Sequence, residues 1–449
     1  MSALRNGTRQ SQSDERGKTA MRSNIVTSPL GLLRWATLAA ALLVGLGACD
    51  KILEIDTPTQ VSTETLNDPE KAVLLVNSAI ADFECAFVGY IVGAGLNGDE
   101  LANANGQAII WDLDRRSSSA ANGVYGTFNC ATGQGGGIYT PLSTARFQGD
   151  HAVQLLEGWT DAEVPNRARL IATASAYAGY STLLLGESMC STAIDLGPEL
   201  NRDQAWQAAV TRFTKAITTA QAVGASGAEF LNMALVGRAR TRLNLKDVPG
   251  ALADALLVPA GFVKNATYND TPVRRYNHLF NQINNAGNTV VEDDFRNLTV
   301  AGGVPDRRVP TADLGRLTVG TVQRPWWIQT KYKSLTDPIP IARYAEAQLV
   351  VAEARGGQEA VTIVNALRAA YQLPPYTGGT SPADIRSLIV QERSRELFLE
   401  SQHLGDKLRY NLPFTPAAGT PFPYVGGVYG DVTCFPLPLR ERQNNPNID

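Results

Sequence analysis

Ala209-Val210-Thr211-Arg212-Phe213-Thr214-Lys215-Ala216 decides the fold class of this chain. Ala209 and Ala216 put small side chains on one helical face, where a second helix can approach closely. Phe213 supplies the bulk that fills the gap between turns. Further along, Ala239 and Ala251 bracket the turn Leu245-Lys246-Asp247, and Ala255 follows one turn later. Apolar periodicity predicts helices over Leu142–Gly158, Val164–Gly186, Asp203–Val223, Ala228–Asn244 and Asp247–Val258. Others are expected over Pro340–Arg355, Glu359–Gln372 and Pro382–His403. An earlier helix opens at Pro69 under an Asp68 cap, with Val73, Leu74, Val76, Ile80 and Phe83 at helical spacing.

This spacing of small and bulky residues resembles tetratricopeptide repeats, in which each helical hairpin stacks on the next because none can bury its face alone. A generic helical bundle carries similar alanines and stays open as an alternative. Two stretches break the pattern. Tyr90–Thr140 is rich in glycine, asparagine and serine, and Pro259–Asp337 is irregular with a β-like run at Trp326–Tyr332. The fold expected is therefore mainly α: tetratricopeptide-like hairpins over residues 68–449, with loop-rich insertions at about 86–141 and 259–339.

The N-terminus is a separate matter. Arg22 and Arg34 precede an uncharged apolar run from Trp35 that ends in Leu46-Gly47-Ala48-Cys49. The run is short for a membrane span and ends in small residues, which is the form of a secretory signal. With cysteine next, it resembles a bacterial lipoprotein signal over residues 1–48, with Met21 as an alternative start. Cys49 would then be lipidated, and residues 49–67 would form a polar tether. Each buried lipid methylene contributes roughly 0.8 kcal/mol, so several acyl chains anchor firmly. Beyond it no second apolar run approaches 18 residues, so the body reads as soluble.

Removing residues 1–48 takes away six basic and two acidic residues, so the formal charge moves from −3 to −7. An acidic body argues against nucleic acid and against a polybasic membrane contact, leaving the lipid as the membrane attachment. Four cysteines remain, Cys85, Cys130, Cys190 and Cys434. In an oxidising compartment they allow two disulfides in three connectivities, of which Cys85–Cys130 with Cys190–Cys434 is preferred, because each ties a helix end to a loop. No CxxC occurs and only three histidines are present, so neither a metal nor a cofactor is expected.

Further motifs lie in the C-terminal third. Arg343-Tyr344-Ala345-Glu346-Ala347-Gln348-Leu349 leads to Asn365-Ala366-Leu367-Arg368 and then to Glu392-Arg393-Ser394-Arg395-Glu396-Leu397-Phe398-Leu399-Glu400. Asp406, Arg409 and Phe435-Pro436-Leu437-Pro438 follow. In this order, behind a lipoprotein signal and the tether Leu53-Glu54-Ile55-Asp56-Thr57-Pro58, they resemble the SusD/RagB family of outer-membrane nutrient-binding lipoproteins. Ser401 and His403 stand where that family has glycine and arginine, and Lys407 where leucine is common. Within the Glu392–Glu400 run, Glu392 with Arg395 and Arg393 with Glu396 are spaced to pair along one helix.

The resemblance implies a lipid-anchored protein of the outer membrane, exposed at the cell surface. It would capture an oligosaccharide or peptide and deliver it to a SusC-like TonB-dependent transporter, catalysing nothing. Capture needs aromatic faces and hydrogen-bonding amides or carboxylates. Trp111, Tyr125, Phe128 and Tyr139, with Asn97 and Asp99, are the expected ligand-binding residues of the first insertion. Trp326 and Trp327 read as packing residues. No nucleophile elbow, metalloprotease helix or phosphate loop is present in the body. A lipid-anchored repeat scaffold that binds no nutrient is the alternative function.

Overall fold

A computed structural model describes residues 67–130, 136–319, 322–423 and 426–448. The signal, Cys49 and the tether up to residue 66 lie outside the described residues. Asp68 accepts a hydrogen bond from the Glu70 amide at 2.9 Å and caps a single 3-10 turn, Pro69–Lys71. Helix α1 follows, Ala72–Asn97. It continues well past Tyr90, where loop was expected. Gly89 and Gly93, which read as loop residues, sit where the chain returns: a Cβ on Gly93 would lie 2.8 Å from Ile138, and one on Gly89 3.0 Å from the Gly137 carbonyl. The glycines serve close packing. Val73 and Leu74 point outward, and Leu75, Val76, Ala79 and Phe83 form the buried stripe. Against the expectation that no second apolar run approaches 18 residues, the Pro69–Asn97 stretch is long and apolar enough to cross a membrane; 61% of its apolar window is buried inside the protein, so it is a core helix.

The first insertion holds strand β1 (Leu101–Asn103) and the short helices α2 (Ala108–Asp114) and α3 (Gly123–Thr127). Then α4 (Tyr139–Gly158), α5 (Arg167–Ser188), α6 (Arg202–Ala222), α7 (Ala228–Asn244) and α8 (Val248–Ala255) follow, with β2 (Ser191–Thr192) and β3 (Leu200–Asn201) between α5 and α6. α1 packs on α4, and from α4 each helix packs on the next, as in stacked helical hairpins. Asn201 and Gln204 form a reciprocal cap at the start of α6. Phe213 is fully buried and fills the place read for it. A Cβ at Gly179 of α5 would come within 2.7 Å of its ring, and one at Gly237 of α7 within 2.5 Å. One turn pair away, Gly186 leaves room for the Trp206 indole in the same manner.

The second insertion contains β4 (Val263–Ala266), one turn of α9 (His278–Phe280), and β5 (Thr289–Val291) to β9, of which β8 is Thr311–Leu317 and β9 Pro325–Gln329. β10 (Ile339–Arg343) closes it. Its strands pair antiparallel in twos: β5 with β1, β4 with β10, β8 with β9. Then come α10 (Tyr344–Arg355), α11 (Gly357–Ala370), α12 (Pro382–Glu396), α13 (His403–Tyr410) and α14 (Leu439–Asn444). The expected single helix to His403 breaks after Glu396. Leu399 and Ser401 take φ of 55° and 82°, a region that disfavours side chains, so the missing glycine at 401 leaves a left-handed serine in the turn.

The Glu392–Glu400 segment pairs with distant elements rather than along its own helix. Glu392 accepts from Arg308 and Arg368, each at 2.5 Å; Glu396 and Glu400 accept from Arg343, both at 2.7 Å. Arg393 pairs with Asp406 at 2.8 Å, and Arg395 with Asp306 at 3.1 Å. The segment therefore fastens the second insertion to α11 and α13.

Several buried carboxyls titrate abnormally. Desolvation lifts Glu100, Glu292 and Glu346 to about 7 and Asp114 to about 6, against the pull of neighbouring cations. Among the described residues neither Glu346 oxygen has a hydrogen-bond partner, and Arg240 lies 3.8 Å away. Acids raised in the folded state make it bind more protons than the unfolded chain, so their contribution is present near pH 4.5 and is lost as pH climbs through 6 to 7. Asp306, Glu400 and Asp406 are held low by arginine or lysine partners and lose theirs below about pH 4. Stability should peak near pH 5 and fall toward pH 8. Glu346→Gln should flatten that fall and gain on the order of 1–3 kcal/mol at pH 8, read from urea unfolding at both pH values. An unchanged slope would contradict this assignment.

Candidate ligand-binding site

Four of the six residues expected to meet a ligand are committed to the fold. Asp99 accepts from Arg116 and Lys407, each at 2.5 Å, and from the Thr415 amide at 2.7 Å. It is a buried ion-pair centre, and Lys407 is its counter-ion. Asn97 is buried and donates to the Thr433 carbonyl at 3.1 Å. Tyr125 stacks on Phe435 with ring centroids 4.9 Å apart, and its hydroxyl donates to the Ser119 and Pro436 carbonyls. Phe128 is half-buried against the main core. These side chains pin loops to helices, and sequence alone could not show their partners.

Trp111 and Tyr139 differ, because both border open space. The Trp111 indole N–H donates to the Asn105 carbonyl at 2.6 Å, which fixes the ring while part of it stays in solvent. Tyr139 is almost fully buried, but it lines a separate cleft together with Phe147 and Leu196.

Around Trp111 the two insertions meet. Pairing of β1 with β5 sets residues 101–103 against 289–291, and the Ala104 amide donates to the Asn288 carbonyl at 2.8 Å. This brings Asn105 beside Gln282 and Asn288, whose side chains bond each other at 2.9 Å, and the exposed Gln107 donates its amide to the Asn105 side chain at 2.8 Å. A crevice of only about 10 Å³ runs between Asn105, Gln282 and Asn288, so a ligand there would lie across the surface rather than inside it. The amides of the second insertion were missed in the sequence, although the run Asn281-Gln282-Ile283-Asn284-Asn285 carried the signal.

Beneath this face the Asp114 carboxylate accepts from the Asn103 amide at 2.8 Å and from Arg324 at 3.1 Å, and Glu292 lies 3.7 Å from Arg324. Of the three adjacent acids at 292–294, Glu292 is thus turned inward. Trp326 is a packing residue: it is buried, its N–H donates to the Ile283 carbonyl at 2.8 Å, and its ring lies under Gly287, whose φ is +61°. Trp327 is half-buried with the Arg296 guanidinium 5.4 Å from its ring centre. Disulfides join Cys85 to Cys130 and Cys190 to Cys434, tying the first insertion to the middle of α1 and the C-terminal tail to the end of α5. Among the described residues no group of His, Cys, Asp or Glu is placed to hold a metal ion.

Residues 264–417 match the model of the SusD family. No curated protein matches the chain. Among solved structures, a SusD superfamily protein from Bacteroides vulgatus is 14% identical, with a TM-score of 0.63 over 85% of this chain and 98% of that one. Surface glycan-binding protein A from Bacteroides thetaiotaomicron, in complex with laminarihexaose, is 14% identical with a TM-score of 0.63 over 84% of this chain and 98% of its own. A laminarin-binding SusD-like protein is 14% identical with a TM-score of 0.60, over 85% and 98%. The matched segment contains β4 to β10 and α10 to α13, including the Glu392–Glu400 ion lattice, and the whole described stack has the superfamily's fold. Over residues 264–417 the chain matches the SusD family, and the fold of the described residues is that of these SusD-like structures.

Proposed function

We propose that this protein captures an oligosaccharide on the Trp111 face and delivers it to a SusC-like TonB-dependent transporter of the outer membrane. In this reading lipid on Cys49 holds it at the cell surface, and the helical stack packs against the transporter. It catalyses nothing; the transporter supplies the energy of import. The observation that carries the reading is the meeting of a fixed, partly exposed indole with the amides of both insertions. That surface combines an apolar ring for the C–H face of a sugar with donors and acceptors for its hydroxyls. The fold supports it, since the relatives above include proteins described as binding laminarin and laminarihexaose. Saccharide is favoured over peptide because the face offers neutral amides, while its carboxylates and arginine lie beneath and pair with one another.

The test is calorimetric titration with laminarihexaose, maltohexaose and cellohexaose. At least one should bind, and Trp111→Ala should weaken it about tenfold, equivalent to about 1.4 kcal/mol, with the melting temperature nearly unchanged. Binding unaffected by Trp111→Ala would remove this face from the account. Absence of binding to every saccharide, with retained association to a transporter, would favour the scaffold reading.

A further inference from the structure

Away from the Trp111 face, the first turns of α4, the loop around Ala193–Leu196 and helix α14 enclose a cleft of about 800 Å³. We infer that this cleft is a second saccharide-binding site, taking a few neutral sugar units independently of the Trp111 face. Its size falls within the roughly 300–1,000 Å³ of small-molecule sites.

The lining has the matching chemistry. Phe147 is 48% exposed and Leu196 56% exposed, so an aromatic ring and an aliphatic side chain stand in solvent at the cleft. Thr140 and Thr144 bring hydroxyls, and Asn129 and Asn444 bring amides. Of the charged residues at the cleft, Arg146 and Asp195 pair with each other, and Arg440 and Glu441 also line it. Arg146 donates to Asp195 at 2.7 Å and lies 3.3 Å from Asp150. Glu441 accepts from Asn445 at 3.2 Å and lies beside the Tyr139 hydroxyl. A neutral ring leaves these contacts in place. It can stack on Phe147 and hydrogen-bond to the surrounding hydroxyls and amides.

The wall opposite α4 is also held rigid at a conformational cost. Asp195 and Leu196 are consecutive non-glycine residues in the left-handed region, with φ of 51° and 58°. Such residues persist only where surroundings over-determine them, and they concentrate at functional sites. The surroundings here are identifiable. Asn447 donates to the Leu196 carbonyl at 2.7 Å and Asn445 to the Gly197 carbonyl at 2.9 Å. Arg442 holds Glu199 through bonds of 2.8 and 2.9 Å, and Cys190–Cys434 fastens the tail that carries these residues. Bracing of this kind lowers the ordering cost of binding. It keeps an exposed leucine at the rim of the cleft, for which packing gives no reason.

Phe147 and Thr144 are exposed, so Phe147→Ala and Thr144→Arg should fold normally, which thermal melts can verify. Laminarihexaose, maltohexaose and cellohexaose are titrated into the full chain, its Trp111→Ala variant and these two. The expected result is a class of sites weakened at least tenfold by Phe147→Ala and by Thr144→Arg, and unaffected by Trp111→Ala. Loss of that class only would uphold the cleft even if Trp111 proves irrelevant. Unchanged stoichiometry and affinity in both cleft variants would overturn it, as would no hexaose binding at all. Tryptic peptides of casein that bind the wild type and not Thr144→Arg, without saccharide competition, would overturn the ligand class.

Discussion

Arg308→Ala should lower folding stability by about 3–5 kcal/mol, the usual cost of removing one member of a buried ion-pair lattice. The Arg308 guanidinium donates to Asp306 at 2.8 Å and to Glu392 at 2.5 Å, and lies 3.7 Å from Glu396, all with side chains no more than 2% exposed. Without it Asp306 keeps only Arg395 and Glu392 only Arg368, so negative charge stays buried and under-compensated. Urea unfolding measures the loss. The neighbouring Arg307 is exposed and, among the described residues, bonds only to the Gln372 amide oxygen, so Arg307→Ala should stay within about 0.5 kcal/mol. Equal effects at the two positions would mean that the lattice does not fasten the second insertion.

Gly237→Leu should be as severe, costing at least about 3 kcal/mol through overpacking. Its Cβ alone would lie 2.5 Å from the Phe213 ring and 2.9 Å from Tyr180, and neither ring has space to retreat because Gly179 confines Phe213 from the other helix. A double-mutant cycle of Gly237→Ala with Phe213→Leu should show coupling, the second change relieving part of the first. Gly158, at the end of α4 with nothing within 4 Å of its would-be Cβ, is the control, and Gly158→Ala should leave stability nearly unchanged. Additive effects of Gly237→Ala and Phe213→Leu would contradict the interlocked packing of α5, α6 and α7.

What could be read from the sequence divides along the range of the interactions. Ala209, Phe213 and Ala216 are a local pattern, and their meaning is local, so the hairpin stack was legible. The second half of α1 was not, since Gly89 and Gly93 look like loop residues until the returning Gly137 and Ile138 are seen against them. Charges behaved likewise. Spacing of three suggested pairs within one helix, but Glu392 and Arg395 each find a better-buried partner on another element. At the site, chemistry-bearing residue types identified the region and not the residues. Tyr125 and Asp99 are taken by Phe435 and Lys407, which lie in the C-terminal part of the chain, while the amides that complete the Trp111 face come from the second insertion. Side-chain commitment of this kind is set by tertiary contact, to which composition is blind.

Hydrogen–deuterium exchange of the full chain, with and without a saturating bound hexaose, tests the central claim most directly. Slowed exchange confined to residues 104–111 and 281–289, with added protection at 143–147 and 193–197 when the cleft is filled, is the predicted outcome. Slowed exchange only on the outer helices α10 to α12, with both insertions unchanged, would contradict it.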